Sequence, residues 1–129
     1  MKLLLLEPNR LLAEQYQSYL ETQRHTVVWR TDAQAGVITA DDYKPDLVIF
    51  ELLMAGHSGI EFLYEFRSYP DWLNVPVIIL SGISERASGV PASTLEELGV
   101  NAYLYKPDIT LKQLGETVQK LLTRVKVKK

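Results

Sequence analysis

Residues 45–59 read Pro45-Asp46-Leu47-Val48-Ile49-Phe50-Glu51-Leu52-Leu53-Met54-Ala55-Gly56-His57-Ser58-Gly59, and they carry the strongest fold signal of the chain. Four consecutive apolar residues, Leu47–Phe50, stand between a Pro-Asp pair and a glutamate. A short strand that is apolar throughout is typical of a parallel sheet covered on both faces. Ser58 and Glu61 have the spacing of a capping box, which predicts a helix directly after the loop. The stretch therefore predicts one strand–loop–helix unit of an α/β protein.

The same succession of elements recurs along the chain. Strands are predicted at residues 2–6, 26–30, 47–50, 75–80 and 102–105. Helices are predicted at residues 10–21, 32–40 and 93–98, and from Ser58 and Thr110 onwards, with Asn9 as the cap of the first. This alternation predicts a doubly wound, five-stranded parallel sheet with helices on both faces.

Composition narrows the class of protein. A chain of 129 residues forms one domain and is long enough to bury a single core. It contains no cysteine, which excludes disulfides, thiolate metal sites and cysteine nucleophiles. The apolar runs are too short to span a membrane, and Glu7-Pro8-Asn9 ends the first run too early for a signal peptide. We expect a cytoplasmic protein that does not contact the membrane.

Basic residues are concentrated at the C-terminal end, where residues 120–129 contain five lysines and arginines and no acid. We divide the chain into a globular domain at 1–125 and a basic tail at 126–129. Cations suit the C-terminus of a helix, and no aromatic residues accompany them. A solvated helix end is therefore favoured over a nucleic-acid surface.

Polar residues follow four of the predicted strands. Glu7 follows the first strand, Glu51 the third, Ser81 the fourth and Lys106 the fifth. Open parallel sheets bind ligands beyond the carboxyl ends of their strands. The topology therefore predicts that two carboxylates, a hydroxyl and an ammonium converge at one edge.

Four segments with this spacing resemble the receiver domain of bacterial response regulators, a CheY-like domain. They are Leu5-Leu6-Glu7-Pro8-Asn9, residues 45–59, Val75-Pro76-Val77-Ile78-Ile79-Leu80-Ser81-Gly82 and Gly99-Val100-Asn101-Ala102-Tyr103-Leu104-Tyr105-Lys106-Pro107. The resemblance covers residues 2–122 and implies a flavodoxin-like sheet in the order 2-1-3-4-5. It implies that Glu51 occupies the phosphoacceptor position and Glu7 the acidic pocket. Ser81, Tyr103 and Lys106 would be the pocket and switch residues.

Two residues depart from the pattern of that family, in which an aspartate accepts phosphate and a second acid of the first strand helps to bind Mg²⁺. Pro8 stands at the position of that acid and has no side-chain oxygen. Glu51 replaces the aspartate, and one extra methylene moves the carboxylate by roughly 1.5 Å. A displacement of that size costs about a hundredfold in an alignment-dependent reaction. The departures predict a pseudo-receiver that binds no Mg²⁺ or other cofactor and is not phosphorylated.

Without a metal ion, Lys106 is expected to lie near Glu51, with Ser81 within hydrogen-bonding distance. Such a contact is interpreted either as a structural ion pair or as a weak imitation of a phosphoryl group, which carries about −1.5 to −2 charges. Tyr103 and Tyr105 share one face of their strand and are interpreted as part of a partner surface. Residues 82–92 border that surface. The predicted partner is a protein, either a histidine kinase or a downstream effector, and a homodimer is left open.

Other functions are less well supported. Gly56-His57-Ser58-Gly59 suggests a hydrolase, but Ser58 lies in a capping box and the G-x-S-x-G pattern is absent. We expect no enzymatic activity. A nucleotide-binding module would need glycines where the chain has Glu7-Pro8-Asn9. A working phosphorelay receiver with an altered acceptor and a small-molecule sensor on the same fold stay open as alternatives.

Overall fold

The structure is a computed structural model that describes residues 1–54 and 58–127. Its strands are β1 (Lys2–Leu6), β2 (Thr26–Arg30), β3 (Leu47–Phe50), β4 (Val77–Ser81) and β5 (Val100–Tyr105). Its helices are α1 (Arg10–Thr22), α2 (Ala33–Tyr43), α3 (Gly59–Arg67), α4 (Ala92–Glu97) and α5 (Leu111–Val127). Short 3₁₀ turns at Pro70–Trp72 and Lys106–Asp108 complete the described elements.

All five strands are parallel and lie in the order β2-β1-β3-β4-β5, which confirms the predicted fold. Successive side chains of each strand point to opposite faces, so the apolar runs supply two separate cores. Leu4 and Phe50 belong to the core that contains residues of α2, α3 and α4. Leu3 and Ile49 belong to the core that contains residues of α1 and α5. The central strands are covered on both faces as a result.

Helix starts follow the capping residues. The Asn9 side chain accepts a hydrogen bond from the Leu12 amide, and the Ser58 side chain accepts one from the Glu61 amide. Thr110 and Gln113 bond reciprocally at the start of α5, each side chain accepting from the amide of the other. Two satisfied amides at this point fix where α5 begins.

The bounds of β4 and β5 differ from those predicted from the sequence. β4 begins at Val77 because Pro76 has no amide hydrogen to donate, and it continues through Ser81, which pairs with Tyr105. β5 begins at Val100 instead of residue 102, and the register shifts between Val77 and Ile78. The Asn101 side chain accepts from the Val77 amide at that irregularity. The side chain of Asn101 thus replaces a backbone carbonyl as the hydrogen-bond acceptor, which strand propensity does not predict.

Helix ends also differ from the sequence pattern. α2 runs to Tyr43, three residues beyond the predicted end, and stops where Lys44 adopts a positive φ of 54°. α5 continues to Val127, across the predicted start of the basic tail, and residues 128–129 lie outside the described range. None of the helices described is long and apolar enough to cross a bilayer.

Arg67, at the end of α3, joins three parts of the chain. Its guanidinium donates to the carbonyl oxygens of Leu98 at 2.8 Å and Gly99 at 3.1 Å. It also donates to those of Trp72 at 2.6 Å and Leu73 at 3.2 Å. A planar cation with several fixed donors is suited to hold the turn before β5 against the turn before β4.

Candidate functional site

Three charged side chains meet at the carboxyl edge of the sheet. The Lys106 ammonium lies 2.6 Å from Glu7 Oε1 and 2.8 Å from Glu51 Oε1. Glu7 is 1% exposed and Glu51 is 4% exposed, so both carboxylates are nearly withdrawn from water. One lysine therefore bridges the acidic side chains that follow two neighbouring strands, β1 and β3.

Backbone amides complete the hydrogen bonds of the two carboxylates. Glu7 Oε2 accepts from the Asn9 amide at 2.9 Å. Glu51 Oε1 also accepts from the Gly82 amide at 3.0 Å, and its Oε2 accepts from the Leu53 amide at 3.2 Å. All four carboxylate oxygens consequently have a donor within the protein.

These contacts keep the ion pair charged. Burial by itself raises the pKa of the Glu51 carboxyl, but hydrogen bonds from Lys106, Ser81 and the amides of Gly82 and Leu53 outweigh it and hold the pKa below its usual range. Burial by itself lowers the pKa of the Lys106 ammonium, and its bonds to the two glutamates outweigh burial and raise that pKa. At neutral pH the pocket therefore contains an ammonium and a carboxylate in contact.

The family resemblance implies Mg²⁺ at this edge, and the donors present do not fit that ion. Mg²⁺ needs near-octahedral oxygen ligands at about 2.0–2.1 Å. Pro8 supplies no side-chain oxygen, and Lys106 already occupies one oxygen of each glutamate. Within residues 1–54 and 58–127 there is no cluster of three or more histidine or acidic side chains that could hold a metal. A cation would therefore have to compete with Lys106 for one oxygen of each glutamate.

The pocket is connected to β5 through residues 81–83. Ser81 is completely buried at the end of β4, and its Oγ accepts from the Ile83 amide at 3.1 Å. The Tyr103 hydroxyl donates to the Ile83 carbonyl at 2.7 Å. Gly82, which donates to Glu51, lies between these contacts. The carboxylate and the tyrosine are thus linked through one short segment of backbone.

Tyr103 is half-buried, with its ring packed against the core that contains Phe50. Burial is the main reason that the pKa of its hydroxyl is raised. The ring therefore points into the domain, and only part of it is available to the partner surface predicted from the sequence. Tyr105, two residues further on, is also half-buried and lines a groove beside α5.

The sequence analysis predicts four polar residues at one edge of the sheet, and the structure places them there: Glu7, Glu51, Ser81 and Lys106. The sequence did not predict the contact between Lys106 and Glu7. It also missed Trp29, whose indole Nε1 donates to the Glu7 carbonyl at 2.8 Å. Its position near the end of β2, the strand paired with β1, was the available signal. His57, which suggested a hydrolase, lies outside the described residues.

Comparison with known proteins identifies the family. A model of the response regulator receiver domain matches residues 3–119. The chain belongs to the response-regulator receiver family. Among curated proteins, this receiver domain is 33% identical over 104 residues to the KDP operon transcriptional regulatory protein KdpE of Escherichia coli. That match covers 81% of this chain and 44% of KdpE.

Further relatives agree with this assignment. The transcriptional regulatory protein QseB of Haemophilus influenzae is 29% identical over 127 residues, covering 96% of this chain and 53% of QseB. The receiver domain thus spans about half the length of these curated relatives. A CheY-like receiver domain of Methanospirillum hungatei has the same fold, with a TM-score of 0.86 and 18% identity over 99% of this chain and 98% of that one.

Proposed function

We propose that this receiver domain signals through contact with another protein and does not accept a phosphoryl group. Receiver domains interact with histidine kinases and effectors in two-component systems, and we assign this domain a partner of one of these two kinds. The observation that carries the proposal is the position of Lys106, which bonds to both Glu7 and Glu51. The domain itself is then a binding module and not an enzyme.

The chemistry of phosphoryl transfer explains why this contact matters. Transfer depends on positioning an acceptor oxygen in line with the leaving group and on neutralising charge with Mg²⁺. Both oxygens of Glu51 already accept hydrogen bonds, and Oε1 accepts two. An attack would require the carboxylate to leave Lys106 or the amides of Gly82 and Leu53. It would also require a metal ion to bind in a pocket where Pro8 stands in place of the second acidic residue.

The same bonds support one constant conformation of the partner-binding side. Glu51 holds the Gly82 amide, and Tyr103 holds the Ile83 carbonyl. These bonds need no ligand and no modification. We interpret the Glu51–Lys106 contact as a structural ion pair and not as an imitation of phosphorylation. A carboxylate has one negative charge and two oxygens, whereas a phosphoryl group has about −1.5 to −2 charges and three acceptor oxygens.

The proposal is tested with beryllofluoride, a phosphoryl analogue, in a Mg²⁺ titration read by tryptophan fluorescence. The wild-type chain is expected to show no Mg²⁺-dependent response. The matched variant carries Glu51→Asp and Pro8→Asp, which restore the shorter acceptor and the second acid. We expect this variant to respond, which shows that the assay detects a working pocket.

A second measurement uses acetyl phosphate and intact-mass spectrometry on the same two proteins. Addition of one phosphoryl group to the wild-type chain would contradict the proposal and would support the alternative, a receiver with an altered acceptor. Mg²⁺-dependent binding of beryllofluoride to the wild-type chain would contradict it as well.

A further inference from the structure

A cavity of about 190 Å³ lies between α1 and α5, beside the cluster that Lys106 forms with the two buried glutamates. Half of the residues that line it are aliphatic: Leu12, Ile109, Leu111 and Leu114. Leu114 is 1% exposed and Leu111 is 36% exposed, so the cavity extends from the core of α1 and α5 to the surface. An apolar cavity of about 150 Å³ is large enough to bind benzene. This one therefore accommodates a single ring with a substituent.

Tyr16 also lines the cavity, and it brings a hydroxyl to the buried end. The residue is 7% exposed, and its hydroxyl takes part in none of the hydrogen bonds formed among residues 1–54 and 58–127. A buried tyrosine hydroxyl usually has a partner. Burial raises the pKa of this hydroxyl, so it keeps its proton at neutral pH and remains a donor. The cavity thus contains a polar group that a ligand can satisfy.

Lys106 supplies a second donor. An ammonium has three N–H bonds that can donate. Two donate to Glu7 Oε1 at 2.6 Å and Glu51 Oε1 at 2.8 Å, and the part of the chain that the structure describes offers no third acceptor. The lysine side chain is 15% exposed and lines the cavity. A ligand that carries an acceptor oxygen therefore matches both Lys106 and Tyr16.

The charges beside the cavity favour a neutral ligand. The carboxylates of Glu7 and Glu51 and the single ammonium of Lys106 leave one net negative charge, which repels an anion. A cation would need acceptors, and the four carboxylate oxygens already accept from the lysine and from backbone amides. The remaining lining residues, Gln15 and Thr110, are uncharged. The aliphatic wall also makes it costly to bury a hydrated ion.

We propose that this cavity binds a small neutral molecule with an apolar body of about one ring and one acceptor oxygen, as in a ketone or an amide. The ring packs against the four aliphatic side chains, and the oxygen accepts from the Tyr16 hydroxyl and from the third N–H of Lys106. A small molecule is favoured over a protein surface because Tyr16 and Leu114 lie below the surface of the domain. The site requires neither Mg²⁺ nor a reactive Glu51, so it does not depend on whether the domain accepts phosphate.

A fluorine NMR titration of the whole chain with para-fluoroacetophenone, a neutral aromatic ketone, tests the proposal without Mg²⁺ or a phosphoryl donor. We expect saturable binding with a Kd of about 1 mM, as for a ligand of about ten heavy atoms. Amide signals of residues 12–16 and 109–114 should shift during the same titration. The anion para-fluorobenzoate has the same size and should bind about tenfold more weakly or not at all.

Tyr16→Phe removes the hydroxyl and keeps the ring, so the packing of the core is retained. It should weaken binding of the ketone about three- to tenfold, which is the net value of one hydrogen bond. Binding of para-fluorotoluene, which has no oxygen, should not change. Leu111→Trp should fill the outer part of the cavity and abolish binding of both compounds. Leu11→Trp is the matched control, because Leu11 is 73% exposed on α1 and does not line the cavity.

Three results would overturn the proposal. One is a titration with the ketone that shows no saturable shift. Another is equal affinity of the ketone for the wild-type chain and Tyr16→Phe, with both proteins shown to be folded by urea unfolding. The third is a loss of binding in Leu11→Trp as large as that in Leu111→Trp, which would place the compound outside the cavity.

Discussion

Replacing Lys106 by methionine should strongly destabilise the domain at neutral pH. The substitution keeps the length and apolar stem of the side chain and removes only the charged end. Glu7 and Glu51, 1% and 4% exposed, would then be buried without their counter-ion. Removing one partner of a buried ion pair costs about 3–5 kcal/mol, because the remaining charge is uncompensated. That is a large part of the free energy of unfolding of a typical domain, which is about 5–15 kcal/mol.

The loss of stability caused by Lys106→Met should become smaller as the pH falls. In the wild-type fold the pKa of Glu51 is lowered, so its stabilising contribution is complete at neutral pH and is lost as the pH falls below the unfolded value of about 4.3. In the variant, burial without the ammonium raises the folded pKa, and the folded state takes up a proton more readily than the unfolded state. The variant therefore gains stability as the pH falls, and the difference between the two proteins becomes smaller.

Urea unfolding at pH 7 and pH 4.5, followed by circular dichroism, measures both effects. Lys112→Met is the control, because it makes the same substitution at an exposed lysine of α5 and should change the free energy of unfolding by less than about 0.5 kcal/mol. A loss below about 1 kcal/mol for Lys106→Met, in the range of a surface ion pair, would refute the reasoning. So would a large loss that is the same at both pH values.

Other contacts give further predictions. Arg67→Met removes donors to four carbonyl oxygens and should cost about 2–4 kcal/mol in urea unfolding, and a loss like that of a surface site would contradict this. Tyr103→Phe removes the bond to the Ile83 carbonyl, so amides of residues 82–91 should exchange faster by mass spectrometry; unchanged rates would show that the bond does not hold the loop. Burial lowers the pKa of His25, whose Nδ1 has no hydrogen-bond partner among residues 1–54 and 58–127, so stability should fall as the pH drops below about 6.5. His25→Gln should reduce that slope between pH 7 and 5.5, and an equal slope would exclude this histidine as its source.

The position of the site was predictable because topology alone determines it. Strands that are parallel and consecutive in βα units present their carboxyl ends at one edge, so Glu7, Glu51 and Lys106 had to be neighbours. Which oxygen meets which nitrogen depends on side-chain rotamers and on the lengths of the loops. The contact between Lys106 and Glu7 joins residues 99 positions apart and has no local signal in the sequence.

Strand boundaries and the side-chain bonds to strand backbone were less predictable for a related reason. Asn101 replaces a backbone acceptor at the start of β5, although asparagine is otherwise typical of turns. Gln17 and Arg30 look like ordinary polar residues in the sequence, but their side chains donate to carbonyl oxygens of β2, those of Val27 and Trp29. Propensity and periodicity describe residues one at a time or along one element. In the bonds made by Asn101, Gln17 and Arg30, a side chain takes the position of a backbone hydrogen-bond partner. Neither propensity nor periodicity describes such a contact.

The two tryptophans give the domain a pair of independent optical reporters. Trp29 bonds to the carbonyl of Glu7, so its emission should respond to any rearrangement at the carboxyl edge. Trp72 stacks on Phe66 at a centroid distance of 4.8 Å in the opposite core, where its emission should follow global unfolding. In a Trp72→Phe background, a fluorescence titration would monitor the charged cluster from within, with no external dye. The complementary Trp29→Phe background would leave Trp72 alone to report unfolding.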